Sequence, residues 1–309
     1  MKTQKLACQS PFHVDAVPQI VENLVHRGKT LLYVENLPAW ELFEAKILSL
    51  ATRTYQASKT DFAYTDLVAA VALELPTAEL PLQLDLLFFD KVRRSSSKVG
   101  VLEGRGGIDV HRHLRRYPNT CRNFIKGLPI LDTPYLLAEF LSKDRLEQAL
   151  MLGDALVRKT LKCTHSLSPA QLAAYAELKA TTLQVANEFL PKRLRKLVSS
   201  RLCLLNPLAE SPLESKVRAF LIEAGITEIS LQFPIFTEGS QYYADIFLPT
   251  NRLIIECDGS GKYAFDPDKT SEKRRQLAIE NLGLQVLRVS WEQAHDYKFM
   301  QRLVQRLNK

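Results

Sequence analysis

The sharpest patterning of apolar and polar positions lies late in the chain. Two short runs, Tyr243 to Leu248 and Leu253 to Cys257, flank Pro249-Thr-Asn-Arg252. Each run is rich in aromatic or β-branched residues, so the pattern predicts two strands joined by a turn. With the loop centred between Thr250 and Asn251, opposed positions sum to 501 and Asp245 faces Glu256. Upstream, Ser211-Pro-Leu-Glu214 supplies an N-cap, a first-turn proline and a glutamate at the third helical position. The predicted helix turns Leu213, Val217, Phe220 and Leu221 inward and stops at Gly225, before a strand over Ile229–Phe236 that carries Gln232. After the hairpin come a loop over Ser260–Asp268, a helix over Glu272–Leu282, a strand over Leu284–Ser290 and a closing amphipathic helix over Glu292–Leu307. That order predicts an α/β sandwich with a mixed sheet.

The N-terminal half is patterned more weakly and predicts a mainly helical α+β region. Helices are expected over Val14–Val25, residues 37–52 and Asp61–Leu73, and strands over Leu80–Phe89 and Gly107–His111. Gly127-Leu-Pro-Ile-Leu-Asp-Thr-Pro134 reads as the entry to helices over Tyr135–Leu141 and Asp144–Val157, with Asp132 or Thr133 as the cap. Ser168-Pro-Ala-Gln171 opens a further helix to about Lys179, and a further helical stretch leads to the basic knot Pro191–Lys196. The expected organisation is an N-terminal region over 1–160, a helical connector over 161–205 and a C-terminal domain over 206–309.

Charge changes this picture in one place. The 309-residue chain has a formal net charge of +7. Between Lys91 and Lys126, ten Lys or Arg face only Glu103 and Asp109, a local excess of 10 − 2 = 8 positive charges. From Asn206 onward 13 basic and 14 acidic residues nearly cancel. A basic stripe is the electrostatic footprint of a phosphate backbone, although a solvated surface loop has the same composition. Lys91, Arg93, Arg94, Lys98, Arg112, Arg115 and Arg116 are the candidate nucleic-acid contacts. His111 and His113 share a strand face with no third ligand nearby, which fits a surface or nucleic-acid contact better than zinc. Five cysteines without a CxxC pair argue for reduced thiols and a cytoplasmic location. No apolar run approaches the length of a membrane span, and no apolar stretch follows Met1–Lys5, so neither membrane insertion nor export is expected.

The hairpin carries the candidate chemistry. Asp245 and Glu256, directly opposed, would hold their Cβ atoms roughly 4.5–5.5 Å apart. Asp258 follows two residues later on the same face of its strand. Like charges opposed across a sheet repel, and unpartnered buried carboxylates are costly. A hard divalent cation, Mg²⁺ or Mn²⁺, removes that conflict by taking carboxylate oxygens. The competing explanation is a solvated acidic face, or acids paired with basic residues.

These residues carry a resemblance. Tyr243-Ala-Asp245 and Ile255-Glu-Cys-Asp-Gly259 resemble the core of the PD-(D/E)xK nuclease superfamily. With Ser211-Pro-Leu-Glu-Ser215, Glu272-Lys-Arg-Arg275 and Gly283-Leu-Gln-Val-Leu-Arg-Val289, the segment from Ser211 to about Leu307 resembles bacterial very-short-patch-repair-like endonuclease domains. The resemblance implies a restriction-endonuclease-like sandwich and a Mg²⁺- or Mn²⁺-dependent endonuclease acting on nucleic acid, with DNA the expected substrate. Asp245 and Glu256 would be direct ligands, and Asp258 a ligand through water or the group that orients the attacking water. Glu214 would either cap its own helix or point from it towards the metal. The superfamily pattern has Lys where Asp258 stands; Lys262, Arg274 or Arg275 would replace it, and Arg288 would pair with one of the carboxylates. Residues 80–160 loosely resemble the C-terminal part of AbiEi-type antitoxin proteins, which implies a nucleic-acid-facing or regulatory module. Two other functions fit the same sequence: a non-catalytic DNA-binding regulator, and a partner protein of a toxin–antitoxin or phage-defence pair.

Overall fold

A computed structural model describes residues 39–78, 80–91, 96–99, 108–237, 240–258 and 276–308. The helix expected over Val14–Val25, together with Arg93, Arg94, Lys262, Arg274 and Arg275, lies outside the described residues. The chain forms two compact units of mixed α/β structure: residues 1–139 with 185–191, and residues 140–184 with 192–309.

In the first unit, helix α1 (Ala39–Ala57) precedes strand β1 (Phe62–Tyr64) and helix α2 (Asp66–Ala72). Strands β2 (Gln83–Phe88), β3 (Ser96–Val99), β4 (Ile108–Leu114), β5 (Arg122–Ile125) and β6 (Leu128–Leu131) follow. They form a six-stranded sheet in the order β3-β4-β2-β1-β6-β5. The sheet is mixed, with β1 parallel to β6 and β2 parallel to β4. Two expectations change here. The helix foreseen over Asp61–Leu73 begins with a strand, because Phe62, Ala63 and Tyr64 are all fully buried and pair with Phe88, Leu87 and Leu86. The Tyr64 hydroxyl donates to the Ala51 carbonyl at 2.6 Å, fixing β1 to α1. The stretch before Pro134 is a hairpin, β5–β6, turned at Lys126 and Gly127, which both have positive φ as a two-residue type I′ turn requires. Helix α3 (Thr133–Leu141) starts where its cap was expected.

The second unit contains α4 (Leu146–Leu161), α6 (Lys192–Leu202) and α7 (Pro212–Glu223). Helix α5 (Pro169–Phe189) runs ten residues past its expected end, 189 against 179. Strands β7 (Ser230–Thr237), β8 (Ser240–Leu248), β9 (Leu253–Asp258) and β10 (Gln285–Ser290) form a sheet in the order β10-β9-β8-β7, with only the β9–β10 pair parallel. Residues 276–281 are helical between β9 and β10. Helices α8 (Trp291–His295) and α9 (Tyr297–Leu307) replace the single closing helix, because Asp296 leaves helical geometry and caps α9 by accepting from the Lys298 N–H. The expected boundary at 160 falls inside this unit. Asp154 of α4, 1% exposed, accepts from Arg218 Nη2 at 2.5 Å and Ser215 Oγ at 2.7 Å, both on α7, and from the Asn206 N–H at 2.8 Å. A buried aspartate in the middle of an apolar helix thus ties α4 to α7, which helical periodicity alone does not announce.

The sheet packs one apolar cluster on each face. Leu231, Ile246, Leu253, Ile255, Cys257 and Val289 join Leu213, Val217, Met300 and Leu303 of α7 and α9 in the first. Ile235, Ala244, Phe247, Ile254 and Ile279 form the second. Burying each large aliphatic side chain contributes about 1.5–3 kcal/mol. Among the described residues, no helix is long and apolar enough to cross a membrane, and the four described cysteines are free thiols.

Replacing Asp154 with Ala leaves the Arg218 guanidinium buried without its carboxylate. Chemical denaturation should show a loss of about 3–5 kcal/mol. A loss below 1 kcal/mol would show that Asp154 is not the tie between α4 and α7.

Candidate acid cluster and basic strands

The β8–β9 hairpin has the register read from the sequence. Ile246 pairs with Ile255, Phe247 with Ile254 and Leu248 with Leu253, and each pair sums to 501. Ladder pairing ends there, one position short of Asp245 and Glu256. The Asp245 carboxylate takes over instead: its Oδ2 accepts from the Cys257 N–H at 2.8 Å, a donor the neighbouring strand would otherwise have to satisfy.

The same row is broken on the other side of β8. Strand β7 pairs Leu231 with Ile246 and Phe233 with Ala244, while Gln232, between them, has φ of 49° and no ladder partner. No residue is inserted, since the register is unchanged on both sides of the break. The faces nevertheless exchange. Strict alternation would place Phe233, Ile235 and Ala244 on the face of Leu231 and Ile246, yet they belong to the opposite cluster. One row across the sheet, Gln232, Asp245, Glu256 and then Arg288 of β10, therefore holds polar side chains where the rows beside it are apolar. The burial of Gln232 and Glu256 makes this more than a solvated edge.

Glu214 approaches from α7. Ser211 caps that helix, its Oγ accepting from the Glu214 N–H at 3.1 Å. The Glu214 carboxylate reaches one residue further back than a standard capping box: Oε2 accepts from the Glu210 N–H at 2.9 Å. Gln232 Nε2 is 3.5 Å from the same oxygen. Burial, and then the Asp245 charge, push the Glu214 carboxyl up to about 7. Glu214 thus caps its helix and also lies within the electrostatic reach of Asp245. Cys257 belongs to the apolar cluster, as its strand position predicts, and its thiol is pushed well above the ordinary thiol range by burial and then by Asp245, Glu214, Glu256 and Asp258. Asp258 is partly committed elsewhere: Arg288 Nη1 lies 3.6 Å from its Oδ2, the ion pair foreseen for that arginine.

Among the described residues, no three His, Cys, Asp or Glu side chains are gathered closely enough to hold a metal ion as they stand. Carboxylate oxygens are nevertheless the ligand type that a hard cation takes. All four groups are carboxylates, two are buried, and one is held near neutrality by burial and like charge, a state that a cation relieves.

Two residues in contact with this cluster were not foreseen as functional. His165 Nδ1 lies 3.0 Å from Gln232 Oε1, and its ring stacks on Tyr243 with centroids 4.1 Å apart and planes 11° apart. His165 sits in a short loop between helices, where no periodicity marks it. Tyr243 was visible only as the neighbour of Asp245.

The basic segment divides. Lys91, Lys98 and Arg116 are exposed. Arg112 of β4 donates to Ser97 Oγ at 2.7 Å across the sheet. Arg115 is committed to Glu139 by two hydrogen bonds, at 2.8 and 3.2 Å, and Tyr117 donates to the same carboxylate at 2.7 Å. Arg122 pairs with Asp61 and Lys126 with Glu74. His113 is bound to buried Asp85 at 3.2 Å rather than to His111, and that hydrogen bond raises its pKa above the ordinary imidazole value.

The Glu214 shift makes stability depend on pH. Because its folded-state pKa is raised from 4.5 to about 7, its contribution is fully present below pH 4.5 and lost as pH rises through about 7. Glu214→Gln keeps an acceptor for the Glu210 N–H and cannot ionise. Relative to the unsubstituted protein without added metal, this variant should gain on the order of 3 kcal/mol between pH 5 and pH 8 in urea titrations. Parallel stability profiles for the two proteins would show that Glu214 is not held near neutrality.

No protein-family model and no curated protein matches this chain.

Proposed function

We propose that the second unit is a divalent-cation-dependent endonuclease, hydrolysing phosphodiester bonds in nucleic acid, with DNA the expected substrate. The observation that carries this reading is the broken row of the sheet. Gln232, Asp245 and Glu256 interrupt an apolar β-core, with Asp258 two residues further along β9 and Glu214 on α7 in contact with Gln232. Carboxylate oxygens of this kind are the ligands that a hard divalent cation takes. The succession of α7, three strands, the helical stretch at 276–281, β10 and the closing helices supports a restriction-endonuclease-like sandwich.

In this reading Asp245 and Glu256 would hold Mg²⁺ or Mn²⁺, with Asp258 and Glu214 contributing at its border. The cation, when bound, supplies a Lewis acid for the phosphoryl oxygens. Asp245 fixes the β8–β9 junction through the Cys257 N–H. Arg288 limits the negative charge at Asp258. Glu214, near neutrality at pH 7, can hold or release a proton beside Asp245. Lys262 and Arg274 remain the candidates for the basic group that the superfamily pattern places at Asp258. In the first unit, exposed Lys91, Lys98 and Arg116 are the side chains best able to meet a phosphate backbone. Arg115, bound to Glu139, keeps its charge within the fold.

One observation favours a second reading, a non-catalytic nucleic-acid-binding regulator or antitoxin-type partner that keeps the fold as a scaffold. Asp258 already has its arginine, and the carboxylates are not gathered as a ready ligand set.

Purified protein should nick supercoiled plasmid in Mg²⁺ or Mn²⁺ and stop when the metal is chelated. Asp245→Ala and Glu256→Ala should each lower the rate by at least about a hundredfold, the scale on which one transition-state contact acts. Retained DNA binding without nicking in either metal would reject the enzyme in favour of the regulator.

A further inference from the structure

We propose that His165 is a positioning residue of the acid cluster, holding the Gln232 side chain so that its amide stays against the Glu214 carboxylate. The catalytic consequence of this role rests on the endonuclease reading; the positioning itself does not.

Gln232 needs such a partner. A non-glycine residue with φ of 49° inside a strand is strained and persists only where its surroundings enforce it. Its amide is also buried, so both ends require hydrogen bonds. The Nε2 end faces Glu214 Oε2 at 3.5 Å and the Oε1 end meets His165 Nδ1 at 3.0 Å. His165 Nδ1 has a second acceptor, Glu210 Oε1, at 3.5 Å. The Glu210 carboxylate can only accept, so it identifies Nδ1 as the N–H end of the imidazole. That assignment orients the Gln232 amide in turn, with its oxygen towards the histidine and its NH₂ towards the carboxylate.

The contacts close on themselves. The Glu210 N–H donates to Glu214 Oε2, Gln232 Nε2 approaches the same oxygen, His165 Nδ1 meets Gln232 Oε1, and the Glu210 side chain receives His165. Arg158 Nη2 steadies the Glu210 carboxylate at 2.6 Å. Tyr243 supplies the remaining constraint by stacking flat on the imidazole from a position two residues before Asp245. The histidine thus touches both strands on either side of the broken row: the Gln232 side chain on β7 and the Tyr243 ring on β8. A surface histidine with no task would need neither contact.

Two substitutions separate the stack from the hydrogen bond. His165→Phe keeps an aromatic ring on Tyr243 and removes the donor; His165→Asn removes the ring and keeps a donor near the Nδ1 position. In metal-free protein, the Gln232 side-chain amide and Glu214 side-chain carboxyl resonances, followed by NMR, should move in His165→Phe and return towards their original positions in His165→Asn. Resonances that ignore His165→Phe would overturn the proposal, and so would resonances that move equally in both variants. Nicking assays supply the second arm. His165→Phe should lower kcat by about tenfold to a hundredfold at unchanged KM, as the loss of an outer-shell partner does, with recovery in His165→Asn. An unchanged kcat in His165→Phe would overturn the proposal. If the unsubstituted protein does not nick at all while the NMR response holds, the endonuclease reading falls and the positioning role of His165 stands.

Discussion

A single backbone N–H organises the C-terminal half of this protein. In an uninterrupted sheet the Cys257 N–H would have to find an acceptor on a neighbouring backbone; here it donates to the Asp245 carboxylate. A side chain that substitutes for backbone pairing must lie near the plane of the sheet. It therefore cannot stand on either apolar face. The facing residue on β7, Gln232, cannot pair normally beside it and takes up left-handed geometry. The exchange of faces along β7 and β8 and the burial of Gln232 occur at this same row.

The cluster is stable only because its charges are handled in different ways. Asp245 has a backbone donor, Asp258 has Arg288, and Glu214 has the Glu210 N–H with a carboxyl raised towards neutrality. These arrangements leave the site acidic without making it a ready-made ligand cage. The polar group between α4 and α7 behaves differently. Asp154 receives three donors from Arg218, Ser215 and Asn206 and gains no competing acid nearby, so it serves the packing of two helices. Comparing the two shows what distinguishes a candidate site from a tie: in the first, several acidic side chains share one neighbourhood.

The sequence made the hairpin legible because two local signals agreed there. The turn residues at 249–252 fixed the centre, and alternation fixed which side chains share a face, so the register of β8 and β9 could be computed before any coordinates. Alternation also misled at the critical row. It assumes that every residue of a strand is extended, and Gln232 is not, so the exchange of faces had no sequence signal. In the first unit, the strand Phe62–Tyr64 was hidden inside a helical period because three residues are too few to show a period of two. The β5–β6 turn at Lys126-Gly127 looked like the run-in to a helix because Pro129 and Pro134 drew attention to the cap. His165 was invisible because its partners are 67 and 78 residues away, at Gln232 and Tyr243.

Counting charge was the least reliable guide, for a physical reason. Ten cations between Lys91 and Lys126 suggest one basic surface, yet the fold gives several of them acidic partners drawn from distant segments, Glu139 for Arg115, Asp61 for Arg122 and Glu74 for Lys126. A cation paired with a carboxylate contributes little field at long range, because the pair presents a dipole. The exposed Lys91, Lys98 and Arg116 have no such carboxylate among the ion pairs seen. A binding surface built from them would be narrower than the composition implies, and its salt dependence would report a handful of phosphate contacts rather than ten.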